Sequence, residues 1–157
     1  MTDIPLATLS ASAPRRAFGV AVLFALGLIL ILIPLRQPPG AIWYGLMVLF
    51  GIGAIVLGEA LRRATSATLI LTPTDLREDT GRVLAVLADV SKVNRGSFAM
   101  KPSNGFTLEM KSPQQRIWAP GLWWSIGRRV GVGGVVPSPQ ARIMAEKIEE
   151  LISAQQV

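Results

Sequence analysis

The segment from Ala17 to Gly58 reads AFGVAVLFALGLILILIPL, then RQPPG, then AIWYGLMVLFGIGAIVLG. Neither apolar run holds a charged residue. The first run, Ala17 to Leu35, is nineteen residues long, and as a helix it extends roughly 28 Å, close to the hydrocarbon thickness of a bilayer. Thirteen of the nineteen are Leu, Ile, Val or Phe. At roughly −0.5 kcal/mol each on an insertion scale they favour the membrane by about 6 kcal/mol. The run is too long for the apolar core of a signal peptide, and no small-residue cleavage site follows it, so the sequence predicts a retained helix. Pro38 and Pro39 cannot continue that helix, and Gly40 frees the backbone. A link as short as 36–40 makes the helices 17–35 and 41–58 antiparallel neighbours. The predicted unit is a two-helix transmembrane hairpin over 17–61.

The charges around the hairpin give it a direction. Arg15 and Arg16 precede it and Arg62 and Arg63 follow it, against Arg36 alone in the turn. The positive-inside rule then places both ends in the cytoplasm and leaves almost nothing outside. Trp43 and Tyr44 open the second run, where aromatic rings favour the headgroup level. Ala17, Ala21 and Ala25, and likewise Ala54 and Gly58, fall at the four-residue spacing of close helix contacts. With no strict GxxxG in either helix, the spacing reads as ordinary small-residue background. Residues 1–14 are small, polar and Pro-containing, Arg15 and Arg16 follow, and 1–16 reads as a disordered lead.

Composition excludes more than it assigns. The 157-residue chain contains no Cys and no His, which removes disulfides, thiol nucleophiles, imidazole catalysis and nearly all zinc sites. Sixteen Lys and Arg against ten Asp and Glu give a net charge of +6. Four of those cations flank the apolar runs, so membrane topology accounts for much of the basic balance and nucleic acid need not be invoked. No cofactor motif is present.

Beyond the hairpin, residues 64–157 are polar enough to leave lipid and long enough for one small core. Short strands are expected at Thr68–Thr72, Asp75–Glu78 and Arg82–Leu87, with a turn at Asp79-Thr80-Gly81. Ala88–Val93 is ambiguous and allows one helical turn. Ser97–Lys101 alternates, and Asn104-Gly105 signals a hairpin. In 106–111, Phe106, Leu108 and Met110 point inward while Thr107, Glu109 and Lys111 point outward. Ser112-Pro113-Gln114-Gln115 reads as a turn, and Arg116–Ala119 and Leu122–Val132 as further strands. Ser138 is a good N-cap and Pro139 suits the first helical position. Ala141, Met144, Ala145, Ile148 and Leu151 then form one apolar face of a final helix. The expected fold is a membrane α-helical hairpin plus a mainly-β domain, closed by a C-terminal amphipathic helix.

Antiparallel strands followed by one helix, with Ile117-Trp118-Ala119-Pro120-Gly121 and Gly127-Arg128-Arg129-Val130-Gly131-Val132-Gly133-Gly134 ahead of it, resemble small bacterial membrane proteins that carry a pleckstrin-homology-like (PH-like) domain after a transmembrane hairpin. The resemblance implies a PH-like barrel at 64–157 and an address at the bacterial inner membrane. It implies no catalytic residue.

Several groups are candidate sites. Trp123, Trp124, Arg128 and Arg129 combine aromatic and basic side chains suited to an anionic membrane surface or a protein partner, and Arg62 and Arg63 keep that surface near. Strand alternation sends Trp123 and Trp124 to opposite faces, and Arg128 and Arg129 likewise. Gly127–Gly134 has neither the phosphate-loop nor the dinucleotide spacing, and its glycines fit a bent strand or close backbone approach. Asp75, Glu78 and Asp79 read as a solvated hairpin and not a cation site. The resulting expectation is a non-enzymatic binding module for anionic lipid or a protein segment. The alternatives are a subunit of a larger membrane complex and, most remotely, a small lipid-modifying enzyme.

Overall fold

In the computed structural model residues 4–95 and 102–155 are described, and the strand expected at Ser97–Lys101 lies outside them. The chain forms two compact units, one of Ala13–Arg63 and one built from both Met1–Ser12 and Ala64–Val157.

The first unit is helical. Helix α1 spans Ala13–Arg36 and α2 spans Ala41–Ala64. Both exceed the expected 17–35 and 41–58, because flanking polar residues continue the helix past the apolar stretch. Each is long and apolar enough to cross a bilayer, and only 11% of each helix's most apolar window is buried. The helices meet where side chains are smallest. A Cβ on Gly27 would lie 2.6 Å from Ile55 Cγ1 and 2.7 Å from the Gly51 carbonyl oxygen. A Cβ on Gly51 would lie 2.7 Å from Ile31 Cγ1. Gly58 is also buried, whereas Ala17, Ala21 and Ala25 are exposed. The seam of contact thus runs through Gly27 and Gly51, which the four-residue spacing does not mark, and through Gly58, which it does.

The second unit begins with a correction. The lead read as disordered supplies strand β1, Ala7–Ser10. It pairs antiparallel with β2, Thr68–Leu71, in the register Leu9↔Leu69. The Leu6 N–H donates to Leu71 O at 2.8 Å, and the Ser12 N–H to Val135 O at 2.8 Å. Leu9 is fully buried. The hairpin is therefore inserted between two adjacent strands of one sheet. Strands β3, Asp75–Glu78, and β4, Val83–Val86, complete an antiparallel sheet of order β1-β2-β3-β4. A 3₁₀ turn at Leu87–Asp89 leads into a second sheet, β5-β6-β7, made of Val90–Asn94, Phe106–Ala119 and Trp123–Val132.

Strand β6 runs straight through the turn expected at Ser112–Gln115. The pairing with β7 slips between Glu109 and Gln114 and again between Gln114 and Ile117, so the segment is a bulged, bent part of one strand. Pro113, which has no N–H to give a ladder, sits in that irregular stretch. The bulge is pinned from outside: Lys111 Nζ donates to Ala88 O at 2.8 Å, Gln114 Nε2 to Asp89 Oδ2 at 3.0 Å, and the Ser112 hydroxyl to the same carboxylate.

Helix α3, Ser138–Gln155, packs on β1, β5 and β6. It starts one position earlier than expected. The Pro137 carbonyl accepts from the Ala141 N–H at 3.1 Å, and the Ser138 hydroxyl reaches Asn104 Oδ1 instead of capping the helix. Ala141, Met144, Ala145, Ile148 and Ile152 are buried, Ile152 taking the place expected for Leu151. Burying Met144 and Ile148 stabilises the docked helix by about 1.5–3 kcal/mol each. Their partners in the core include Leu9, Leu69, Phe106, Leu108, Trp123 and Val130.

Candidate functional site

The β6–β7 hairpin is sharply bent, and the bend makes a groove. Gly127 takes φ +59°, a left-handed conformation that favours glycine, opposite Gln114 in the bulge. Further along β7, a Cβ on Gly131 would fall 2.4 Å from Trp124 Cε2, so the indole lies flat on the Gly131 backbone. A straight strand would separate these residues by roughly 23 Å. Thr107 stands opposite Gly131. The indole beside it explains why this residue, expected outward, is only 3% exposed.

The groove on this outer face has a volume of about 870 Å³ and is lined by Pro102, Arg116, Ile117, Trp118, Trp124, Ile126 and Arg129. Its rim is unusually apolar for a surface: Trp118 is 67% exposed and Ile126 52%. Trp118 and Trp124 are cross-strand partners, which places both rings on one face. The lining contains two guanidinium groups and no carboxylate. Glu109 pairs across the ladder with Arg129, and its Oε1 accepts from Asn94 Nδ2 at 2.7 Å.

The residues singled out from sequence separate accordingly. Trp124 and Arg129 line the groove. Arg128 is exposed but does not line it, because the Gly127 bulge breaks the alternation. Trp123 is not a surface contact. It is 1% exposed, and its indole N–H donates to Glu78 Oε1 at 2.7 Å. Alternation separates the two tryptophans correctly, and the Glu78 carboxylate shows which one is core. Arg62 and Arg63 belong to α2, where both are held by Glu59: Arg62 Nε at 2.7 Å from Oε2 and Arg63 Nε at 2.6 Å from Oε1. Sequence reading missed Arg116, Trp118 and Ile126 as site residues. The signal was present, since Trp118 and Arg116 share parity and Ile126 shares that of Trp124.

The other candidates make structural contacts. Asp75 accepts from the Thr72 hydroxyl at 2.9 Å and pairs with Arg77 at 3.1 Å. Glu78, expected on a solvated hairpin, is instead buried, accepting from Trp123 and from the Thr80 hydroxyl at 2.9 Å. Among the described residues no cluster of carboxylates could hold a metal ion. In Gly127–Gly134 the glycines serve the bend and the close approach of backbone and ring. The Ser125 hydroxyl is buried without a partner, beside a smaller cavity of about 200 Å³ lined by β4, β6 and β7.

Compared with known proteins, the chain matches no family model, no curated protein and no solved structure.

Proposed function

We propose that this protein is a non-enzymatic membrane protein that displays a binding module at the cytoplasmic face of a bacterial inner membrane. In this reading α1 and α2 cross the bilayer as a hairpin, and the β unit is a PH-like domain. Four antiparallel strands, then three, then a helix against them support that reading of the domain. The carrying observation is the insertion of the hairpin between β1 and β2. Strands that are hydrogen-bonded to one another must lie on one side of a membrane, so both outer ends of the hairpin end there as well. The connectors are short, Ala11–Ser12 before α1 and Thr65–Ala67 after α2, so the domain stays within reach of lipid at high effective concentration. The arginines flanking the hairpin favour the cytoplasmic side. The groove of Trp118, Trp124, Ile126, Arg116 and Arg129 is the binding face.

Purification of the full chain from native membranes in mild detergent tests the reading. Trp118→Ala and Arg129→Glu should each deplete whatever lipid or protein accompanies the wild type, with yield and thermal unfolding midpoint unchanged. Identical co-purification by wild type and both variants would refute a binding role for the groove. Loss of associated protein on substitution of the outward hairpin surface alone would favour a subunit of a larger membrane complex.

A further inference from the structure

We infer that the groove takes the surface of an anionic bilayer, with Trp118 and Ile126 entering the headgroup region while Arg116 and Arg129 meet lipid phosphates. The inference rests on the reading above, that the hairpin spans a membrane.

Charge and shape both point to that occupant. Both charged residues in the groove's lining are arginines, Arg116 and Arg129, the second standing across the ladder from Glu109. Guanidinium groups bind phosphate oxygens in pairs and tolerate partial dehydration. Trp is the side chain best suited to the headgroup level, with an apolar body and one N–H donor. Ile126 projects beside them and is 52% exposed. A groove made for one small ligand would carry buried polar groups that fix an orientation. Ser125, whose buried hydroxyl has no partner, does not line this groove. What remains is a broad apolar rim bearing cations, which suits a fluid, repeating anionic surface. Its attraction should be screened by salt and should fall roughly fivefold for each arginine removed.

The cysteine-free sequence allows a direct test with the full chain. Single nitroxide labels are placed at Ile126→Cys, at Leu49→Cys on α2 and at Lys147→Cys on α3. Each protein is reconstituted in nanodiscs of phosphatidylcholine alone or with phosphatidylglycerol added. Relaxation by oxygen against a water-soluble nickel chelate reads depth. Leu49 should sit in lipid and Lys147 in water in both membranes. The label at residue 126 should move from water towards the headgroups only when phosphatidylglycerol is present. It should return to water with Arg116→Glu or Arg129→Glu, or at high salt. A second label at Trp118→Cys should report the same shift. Water exposure at residues 126 and 118 in both membranes, with Leu49 in lipid, overturns the inference and leaves the hairpin standing. So does equal depth in both membranes, or a label immobilised and shielded from both relaxing agents, the mark of a protein partner. Leu49 in water refutes the underlying membrane reading itself.

Discussion

Replacing Leu9 by Ala should unfold more of this protein than any single substitution elsewhere in its first twelve residues. Leu9 is fully buried, faces Leu69 across the β1–β2 ladder and belongs to the core that α3 covers. A Leu→Ala change at such a site costs about 2–5 kcal/mol, the spread reflecting how far the cavity collapses. The β unit has about one hundred residues, for which 1 kcal/mol shifts the midpoint by about 4–8 °C. A mid-range loss of about 3 kcal/mol therefore lowers Tm by roughly 12–24 °C. Ile4, 75% exposed, provides the control: Ile4→Ala should stay within about 0.5 kcal/mol of wild type. The near-ultraviolet signal, to which the β unit contributes three of the four tryptophans, followed against temperature in detergent, reads tertiary packing and not helix content. The same logic predicts that residues 64–157 alone lack a core strand and fold poorly, whereas 1–12 joined to 64–157 by a short flexible link restores cooperative melting. Equal midpoints for Leu9→Ala and Ile4→Ala would show that β1 is not part of the sheet.

Trp123→Phe should cost about 1–3 kcal/mol for leaving the buried Glu78 carboxyl without this donor, plus a smaller cavity term. In a double-mutant cycle with Glu78→Ala, urea unfolding should reveal a coupling of about 2 kcal/mol. Gly27→Leu should wedge the hairpin apart, since its Cβ would sit 2.7 Å from the Gly51 carbonyl. Dipolar distances between labels at Leu26→Cys and Leu57→Cys should lengthen by several ångström, while Gly53→Leu, which has open space around it, leaves them unchanged. The Glu146 carboxyl is held below its ordinary value of 4.5, chiefly by its hydrogen bond from Arg142 and further by Arg95. Its folded pKa is depressed, so its contribution is fully present above 4.5 and fades as pH falls through the folded value. Chemical denaturation across pH should show a shallower acid loss of stability in Glu146→Gln than in wild type.

Much of this architecture is legible in the sequence because single physical rules decide it. Two charge-free apolar runs joined by Pro38, Pro39 and Gly40 leave little besides a helical hairpin, and the spacing of Ala141, Met144, Ala145 and Ile148 gives α3 its buried face. The strands Asp75–Glu78 and Phe106–Lys111 follow from turns and alternation. Strand β1 is not legible, because four residues with one inward leucine carry no period, and the partner at Thr68–Leu71 lies beyond the whole hairpin. The groove is half legible. Parity puts Trp118 with Arg116 and Trp124 with Ile126, but their convergence depends on the bend at Gly127 and the bulge at Pro113. A glycine-rich strand does not announce where it will fold back on itself. Alternation separates Arg128 from Arg129 but does not say which of the two lines the groove, and that one is Arg129, opposite Glu109.

The central claim is that a membrane hairpin is inserted between two paired strands, so that both its outer ends share one side. Labelling of intact cells with a membrane-impermeant maleimide addresses it through single cysteines at Ala13, Gln37 and Ser66. Gln37→Cys should react in intact cells, and Ala13→Cys and Ser66→Cys only after the membrane is opened. Reaction of Ala13→Cys and Ser66→Cys from opposite sides, or of all three from the same side, would contradict the account.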